Sequence, residues 1–175
     1  MKTTGRNIKR RLYDWTFRPS DIKRARYWRG HGVHSPFVYN IVRQVFMCRK
    51  LNDSNDSSLY DALMALDVPR RRCIQLQNLL HHCKYTSFAI DCSAEALSEV
   101  DLAIISADIA SEALNSLSAA ATASGTTLCI LAPALDRERR TACKTIVEAH
   151  RCTSIDNRGY LLLFNNHLPK QVFRL

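Results

Sequence analysis

The stretch VDLAIISADIASEALNSLSAAATASGTTLCIL, residues 100–131, decides the fold. Its two ends, Val100–Ile105 and Thr126–Leu131, are short runs with apolar residues at consecutive positions, as in strands buried on both faces. Between them Ile109–Ala123 is rich in alanine and leucine and stops just before Gly125, which suits a helix that ends at a glycine. A strand, a helix and a second strand within about thirty residues form the crossover unit of a parallel sheet. Downstream, Asp136 is placed to cap a helix over 137–150, and the strand-like segments Cys152–Asp156 and Tyr160–Phe164 are joined directly through Asn157-Arg158-Gly159. So short a connection makes these two strands antiparallel neighbours. Upstream, Ser87–Asp91 supplies a fifth strand.

Before residue 86 the periodicity is helical. Ser35 followed by Pro36 is an N-cap with proline at the first helical position, and Phe37, Val38, Ile41, Val42, Val45 and Phe46 give one apolar face running to about Arg49. Further helices are expected near 7–17, 58–67 and 71–83. The expected class is therefore α/β: N-terminal helices, then a five-stranded, mainly parallel sheet with an antiparallel C-terminal strand pair. The chain divides into a basic arm (1–34), a helical segment (35–85) and a shortened α/β domain (86–175).

The 175 residues, 46% hydrophobic and 23% charged, have the composition of a globular protein with a buried core. No apolar run is longer than that of Tyr160–Phe164, far short of the roughly 20 residues of a membrane-spanning helix, and the arginine-rich start lacks the apolar stretch of a secretory signal. A cytoplasmic protein is expected. The seven cysteines are odd in number and form no CxxC pair, which fits small buried hydrophobes in a reducing compartment rather than a disulfide framework or zinc site.

Charge is lopsided. Residues 1–50 hold 13 Lys and Arg against Asp14 and Asp21, a net +11, while the remainder carries −2. Residues 1–30, through Arg6, Lys9, Arg10, Arg11, Lys23, Arg24, Arg26 and Arg29, are thus expected to face an anion: nucleic acid, an anionic surface or the protein's own acidic positions such as Asp53, Asp56 and Asp61. Lys9-Arg10-Arg11 spans almost a full helical turn, so phosphate attraction without base readout is expected. Arg70-Arg71-Arg72 marks a charged helix boundary or an extension of this patch. No metal or catalytic constellation emerges. Gly32 keeps His31 and His34 off a common helical face, His81, His82 and Cys83 point in different directions, and no GxSxG nucleophile context occurs.

The segment Gly30-His-Gly-Val-His-Ser-Pro-Phe-Val-Tyr39 resembles the N-terminal signature of a bacterial group of class I S-adenosylmethionine-dependent methyltransferases, in which a basic lead-in and a GHGxHSPF motif precede a catalytic Rossmann-like domain. The motif residues are Gly30, His31, Gly32, His34, Ser35, Pro36 and Phe37. Glu99–Asp108 is similar to the family's DLVFIDG strand, Arg137–Ile146 to the helix of its DDIHWSxEMxxAWxxI segment, and Ile155–Phe164 with Pro169–Phe173 to its closing strands and basic tail. The resemblance covers residues 23–49 and 86–175 and implies a truncated Rossmann-like methyltransferase sheet.

The departures fall on the chemistry. The family's cofactor turn needs glycine for close backbone approach, yet no glycine lies between Gly32 and Gly125. Ser87–Asp91 resembles the strand beside the cofactor's adenine, which leaves Asp91 as the one cofactor-site candidate or simply a strand-end or capping aspartate. Ser106 stands where the resemblance places the FIDG aspartate, Leu131 and Ala132 where it places paired aspartates, and Ala134 where it places a histidine; Asp108 and Asp136 are out-of-register alternatives. The preferred expectation is a catalytically inactive, methyltransferase-like remnant that needs no cofactor, with S-adenosylmethionine expected only if the family activity survives. A basic adaptor acting through its arm and an active methyltransferase with an atypical pocket are the other readings.

Overall fold

A computed structural model describes residues 33–53, 56–166 and 168–175. The expected helix at 7–17 lies outside the described residues. The chain divides into two compact units, with the boundary between Thr86 and Ser87.

The first unit is helical. Ser35 Oγ accepts the Val38 N–H at 3.4 Å and Pro36 opens helix α1, Pro36–Ile41. The helix then widens into a π-helical turn over Val42–Phe46, where Met47 N–H bonds Val42 O at 3.0 Å. Val38, Ile41, Val42, Val45 and Phe46 are all buried by this arrangement. The expected continuation to Arg49 does not occur. Instead the Asn78 side chain holds the next segment off the helical path, donating to Lys50 O and accepting from Asn52 N, each at 2.9 Å. Helices α2 (Ser58–Ala65) and α3 (Arg70–His82) follow, and every residue of α3 from Cys73 to Leu80 is buried.

The second unit is a six-stranded α/β sheet. Its strands are β1 (Phe88–Ile90), β2 (Leu102–Ile105), β3 (Thr127–Leu131), β4 (Ser154–Asp156), β5 (Tyr160–Leu163) and β6 (Val172–Arg174), in the order β1-β2-β3-β5-β4-β6. β1, β2 and β3 are parallel, β5 runs antiparallel between β3 and β4, and β6 is parallel to β4. The mainly parallel α/β class and the antiparallel pair are as expected, but the sheet has six strands rather than five. β6 is an edge strand of three residues with Val172 and Arg174 exposed, too short and too polar to leave an apolar pattern.

A 3₁₀ helix, Glu95–Glu99, links β1 to β2; α4 (Ala113–Ser124) links β2 to β3; α5 (Arg137–Ala149) leads from β3 to β4. Leu97, Leu114, Leu117, Ala121, Cys143 and Ile146 from these helices share one core with Ala103, Ile105, Leu128, Ile130, Leu161 and Leu163. Alternate strand positions face that core, as the pleat requires. The intervening Leu102, Ile104, Cys129 and Leu162 are also fully buried, which explains the continuous apolar runs of the sequence. Gly125 ends α4 with φ +79, a conformation that only glycine adopts without strain. At the β4–β5 turn the left-handed residue is Arg158, φ +56, and its N–H bonds the Asp156 carboxylate at 3.0 Å.

His150, at the end of α5, is 6% exposed and its Nε2–H donates to Phe164 O at 3.1 Å. Burial lowers its pKa; hydrogen bonding to the Phe164 and Thr153 backbone works against that, and Lys170 works with it. The unfolded chain therefore takes up this proton first as pH falls. The stabilisation from a neutral His150 is fully present above the ordinary histidine value of about 6.5 and is lost as pH drops through the depressed folded value. Melting temperature should fall as pH drops below about 6.5, and His150→Gln should flatten that slope. A slope unchanged by the substitution would remove this assignment.

Candidate functional site

Open α/β sheets carry their ligand sites beyond the carboxyl ends of the parallel strands, so the ends of β1, β2 and β3 are where chemistry is expected. Asp91 follows β1 with φ +52. Its N–H bonds Ile104 O at 2.9 Å, and its Oδ1 accepts the Ser106 N–H at 2.6 Å. One carboxylate oxygen thus staples the ends of β1 and β2 together. The residue is exposed.

Ser106, 1% exposed, is the hub of this end of the sheet. Besides its bond to Asp91, its Oγ accepts the Asp108 N–H at 3.0 Å and its carbonyl accepts Arg139 Nη2 at 2.7 Å. Arg139 also donates through Nη1 to Ile109 O at 2.8 Å and through Nε to Leu131 O at 3.2 Å. Arg139 is 1% exposed, the largest fully buried side chain among the described residues. Three donors of one rigid plane therefore tie together the end of β2, the loop after it and the last residue of β3. Charge-assisted hydrogen bonds of this kind contribute about 1.5–3 kcal/mol each against the cost of burying the charge.

Local sequence positions the arginine. Asp136 caps α5 by accepting Arg139 N–H at 2.8 Å, as expected from sequence, which fixes Arg139 in the first turn. Ala132, φ +47, bonds Gly159 O at 2.8 Å and turns the chain from β3 toward that cap. Arg139, Cys143 and Ile146, all buried, follow the i, i+4, i+7 spacing of an inward stripe. Sequence reading missed the arginine because it sits in the charged run Arg137-Glu-Arg-Arg140; its place on that stripe was the available signal.

The chemical capacity of this end is narrow. Leu131 and Ala132 are buried and carry no ionisable group. Among the described residues, no group of three or more His, Cys, Asp or Glu is arranged to hold a metal. All seven cysteines are free thiols. Burial pushes Cys73 and Cys83 up to about 11 and Cys143 up to about 12, and raises Cys92 and Cys129 as well, so these five are poor nucleophiles at neutral pH.

The motif residues His34, Ser35, Pro36 and Phe37 belong to the helical unit, where Ser35 and Pro36 start α1 and His34 is exposed. Gly30, His31, Gly32 and the eight candidate anion-facing residues, Arg6, Lys9, Arg10, Arg11, Lys23, Arg24, Arg26 and Arg29, lie outside the described residues. A second polar cluster in the helical unit went unnoticed in the sequence. Gln77, fully buried on α3, accepts Tyr60 N–H through Oε1 at 2.9 Å and donates through Nε2 to Asp56 Oδ2 at 3.3 Å. His81 Nε2 lies 3.1 Å from the same oxygen. Because Tyr60 fixes the amide orientation of Gln77, the short Gln77–His81 contact pairs two nitrogens, and Asp56 is the acceptor that both face. The Ser58 backbone N–H first, then its hydroxyl and His81, holds the Asp56 carboxyl well below the usual carboxylate range.

Among the described residues no helix is long and apolar enough to cross a membrane. No family model matches the chain, and no curated protein and no solved structure matches it.

Proposed function

We propose that the chain is a catalytically inactive, methyltransferase-like protein whose sheet is retained as a scaffold. The observation that carries this reading is Arg139. A buried guanidinium saturates carbonyls at the ends of β2 and β3, where a cofactor-dependent member of the class would offer carboxylates. The residues present do not fit S-adenosylmethionine: Asp91 has committed one oxygen to Ser106, and the only glycines in the described α/β unit are Gly125 and Gly159, neither of which follows β1 or β2. A reducing, cytoplasmic setting accords with seven unpaired thiols. Incubation with methyl-labelled cofactor and a mixture of nucleic acid, protein and small-molecule acceptors should give no transfer above the uncatalysed rate. Transfer that is abolished by Asp91→Ala would establish the active, atypical-pocket reading instead.

The charge distribution favours a second role for the same scaffold. With +11 in residues 1–50 and −2 beyond, residues 1–30 are read as an attachment to nucleic acid or another anionic surface. Association should be independent of sequence and should weaken steeply with salt, because each phosphate contact releases counterions. Binding that is the same in low and high salt would end this reading.

A further inference from the structure

Among the described residues the sheet ends at β1. Its contacts with β2 fix which way each residue of the strand turns. Leu102 N–H bonds Ser87 O at 3.2 Å, Asp91 N–H bonds Ile104 O at 2.9 Å, and Ala89 lies between them in register with Ala103. Ser87, Ala89 and Asp91 therefore direct their backbone groups toward β2, and the alternation of a parallel ladder turns those of Phe88 and Ile90 outward. Among the described residues, no hydrogen bond meets the outward N–H and C=O of either residue. Their side chains are partly buried, whereas Leu102 and Ile104, their register partners on β2, are fully buried.

Folded proteins guard such edges with charges, prolines or bulges. The other edge strand, β6, carries the exposed Arg174 and follows the exposed Lys170. By contrast, Tyr85–Ile90 holds no charge and no proline, and β1 pairs with β2 in unbroken register. The outward pattern of β1 is also self-complementary. When two copies run antiparallel about Ala89, Phe88 of each opposes the partner's Ile90, and the two pairs exchange four hydrogen bonds that use every outward group of the strand. Ala89 then meets the partner's Ala89 at a non-hydrogen-bonded position, where Cα atoms approach to about 4.5 Å and a small side chain fits. Phe88 and the partner's Ile90 become an aromatic–β-branched pair on the sheet face shared with Leu102 and Ile104. The flanking charges agree with this direction. Lys84 precedes the uncharged segment and Asp91 closes it, so antiparallel alignment turns the acidic end of each copy toward the basic end of the other and keeps the two Asp91 carboxylates apart.

We propose that β1 is an interface for a second copy of this chain, paired antiparallel through a two-fold axis at Ala89 so that two sheets join into one. So short a ladder falls below the roughly 1,200 Å² of a permanent interface, and the dimer is expected in equilibrium with the monomer. In analytical ultracentrifugation the full chain should be dimeric at about 100 μM and shift toward the monomer on dilution. Ile90→Pro removes an outward N–H without touching the ladder to β2, and should give a monomer at the same concentration with unchanged far-UV circular dichroism. Ala89→Cys places two thiols on the axis at a Cα separation that a disulfide spans. Mild oxidation should therefore link two chains through the introduced thiols, as read by peptide mass spectrometry, whereas Phe88→Cys, which faces the partner's Ile90, should give no such symmetric link. If Ile90→Pro does not fold, the Ala89→Cys link decides. A chain that is monomeric at every concentration would overturn the proposal: hydrogen exchange would then show either protected Phe88 and Ile90 amides, assigning the edge to another segment of the same chain, or freely exchanging ones, leaving it open. A dimer that persists in folded Ile90→Pro, or that gives no link in Ala89→Cys, would overturn it as well.

Discussion

Replacing Arg139 with methionine is expected to destabilise the α/β unit by about 3–5 kcal/mol. Methionine fills much of the volume but offers no donor, so the carbonyls of Ser106, Ile109 and Leu131 lose their charged partner at the end of the sheet. Each buried polar group left unpaired costs about 1–3 kcal/mol. Natural domains are stable by only about 5–15 kcal/mol, so the loss should appear as a large drop in the urea midpoint followed by far-UV circular dichroism. Arg139→Lys should recover little, because a single ammonium cannot address three carbonyls in one plane. An exposed helical arginine would shift stability by no more than about 0.5 kcal/mol, and a change that small would refute the structural role assigned here.

The second large effect is expected at Gln77. Gln77→Leu removes the acceptor for Tyr60 N–H, a first-turn amide of α2, and the buried donor to Asp56. Helix α2 has no side-chain cap from Ser57; Asp56 Oδ1 takes the Ser58 N–H at 2.9 Å, and Gln77 reaches across from α3 to take the Tyr60 N–H. The loss combines a helix cap with an orphaned amide and should cost about 2–3 kcal/mol. Faster hydrogen exchange at Tyr60 should accompany it. Asp56→Asn is expected to cost less than about 1 kcal/mol, since the Asp56 side chain is 44% exposed and water replaces much of what it loses. Equal effects from the two substitutions would show that Asp56, rather than Gln77, holds the cluster.

The contrast between these two residues and the strands explains what the sequence made legible. Ile104, Cys129 and Leu162 are buried on one side of the sheet while their neighbours are buried on the other, so their runs are apolar at every position and stand out in the sequence. Asp136 and Gly125 act through local backbone geometry and were readable for that reason. Arg139, Gln75, Gln77 and Asn78 act across 8 to 33 residues of chain. A polar side chain on a helix gives no local sign of the distant carbonyl or amide it will meet. The π-helical turn at Val42–Phe46 was likewise invisible, because its apolar positions also satisfy an ordinary helical stripe. Asp91 was found but its partner was not: the Ser106 amide becomes its donor only once β1 and β2 lie side by side.

The central claim is that the carboxyl end of the sheet is a closed structural junction. Isothermal titration of the full chain with S-adenosylmethionine tests it most directly. A hydrogen bond from Asp91 alone is worth about 1.5–3 kcal/mol, which corresponds to affinity weaker than millimolar, so no saturable heat is predicted at micromolar to millimolar cofactor. Saturable micromolar binding that disappears in Asp91→Ala would contradict the account.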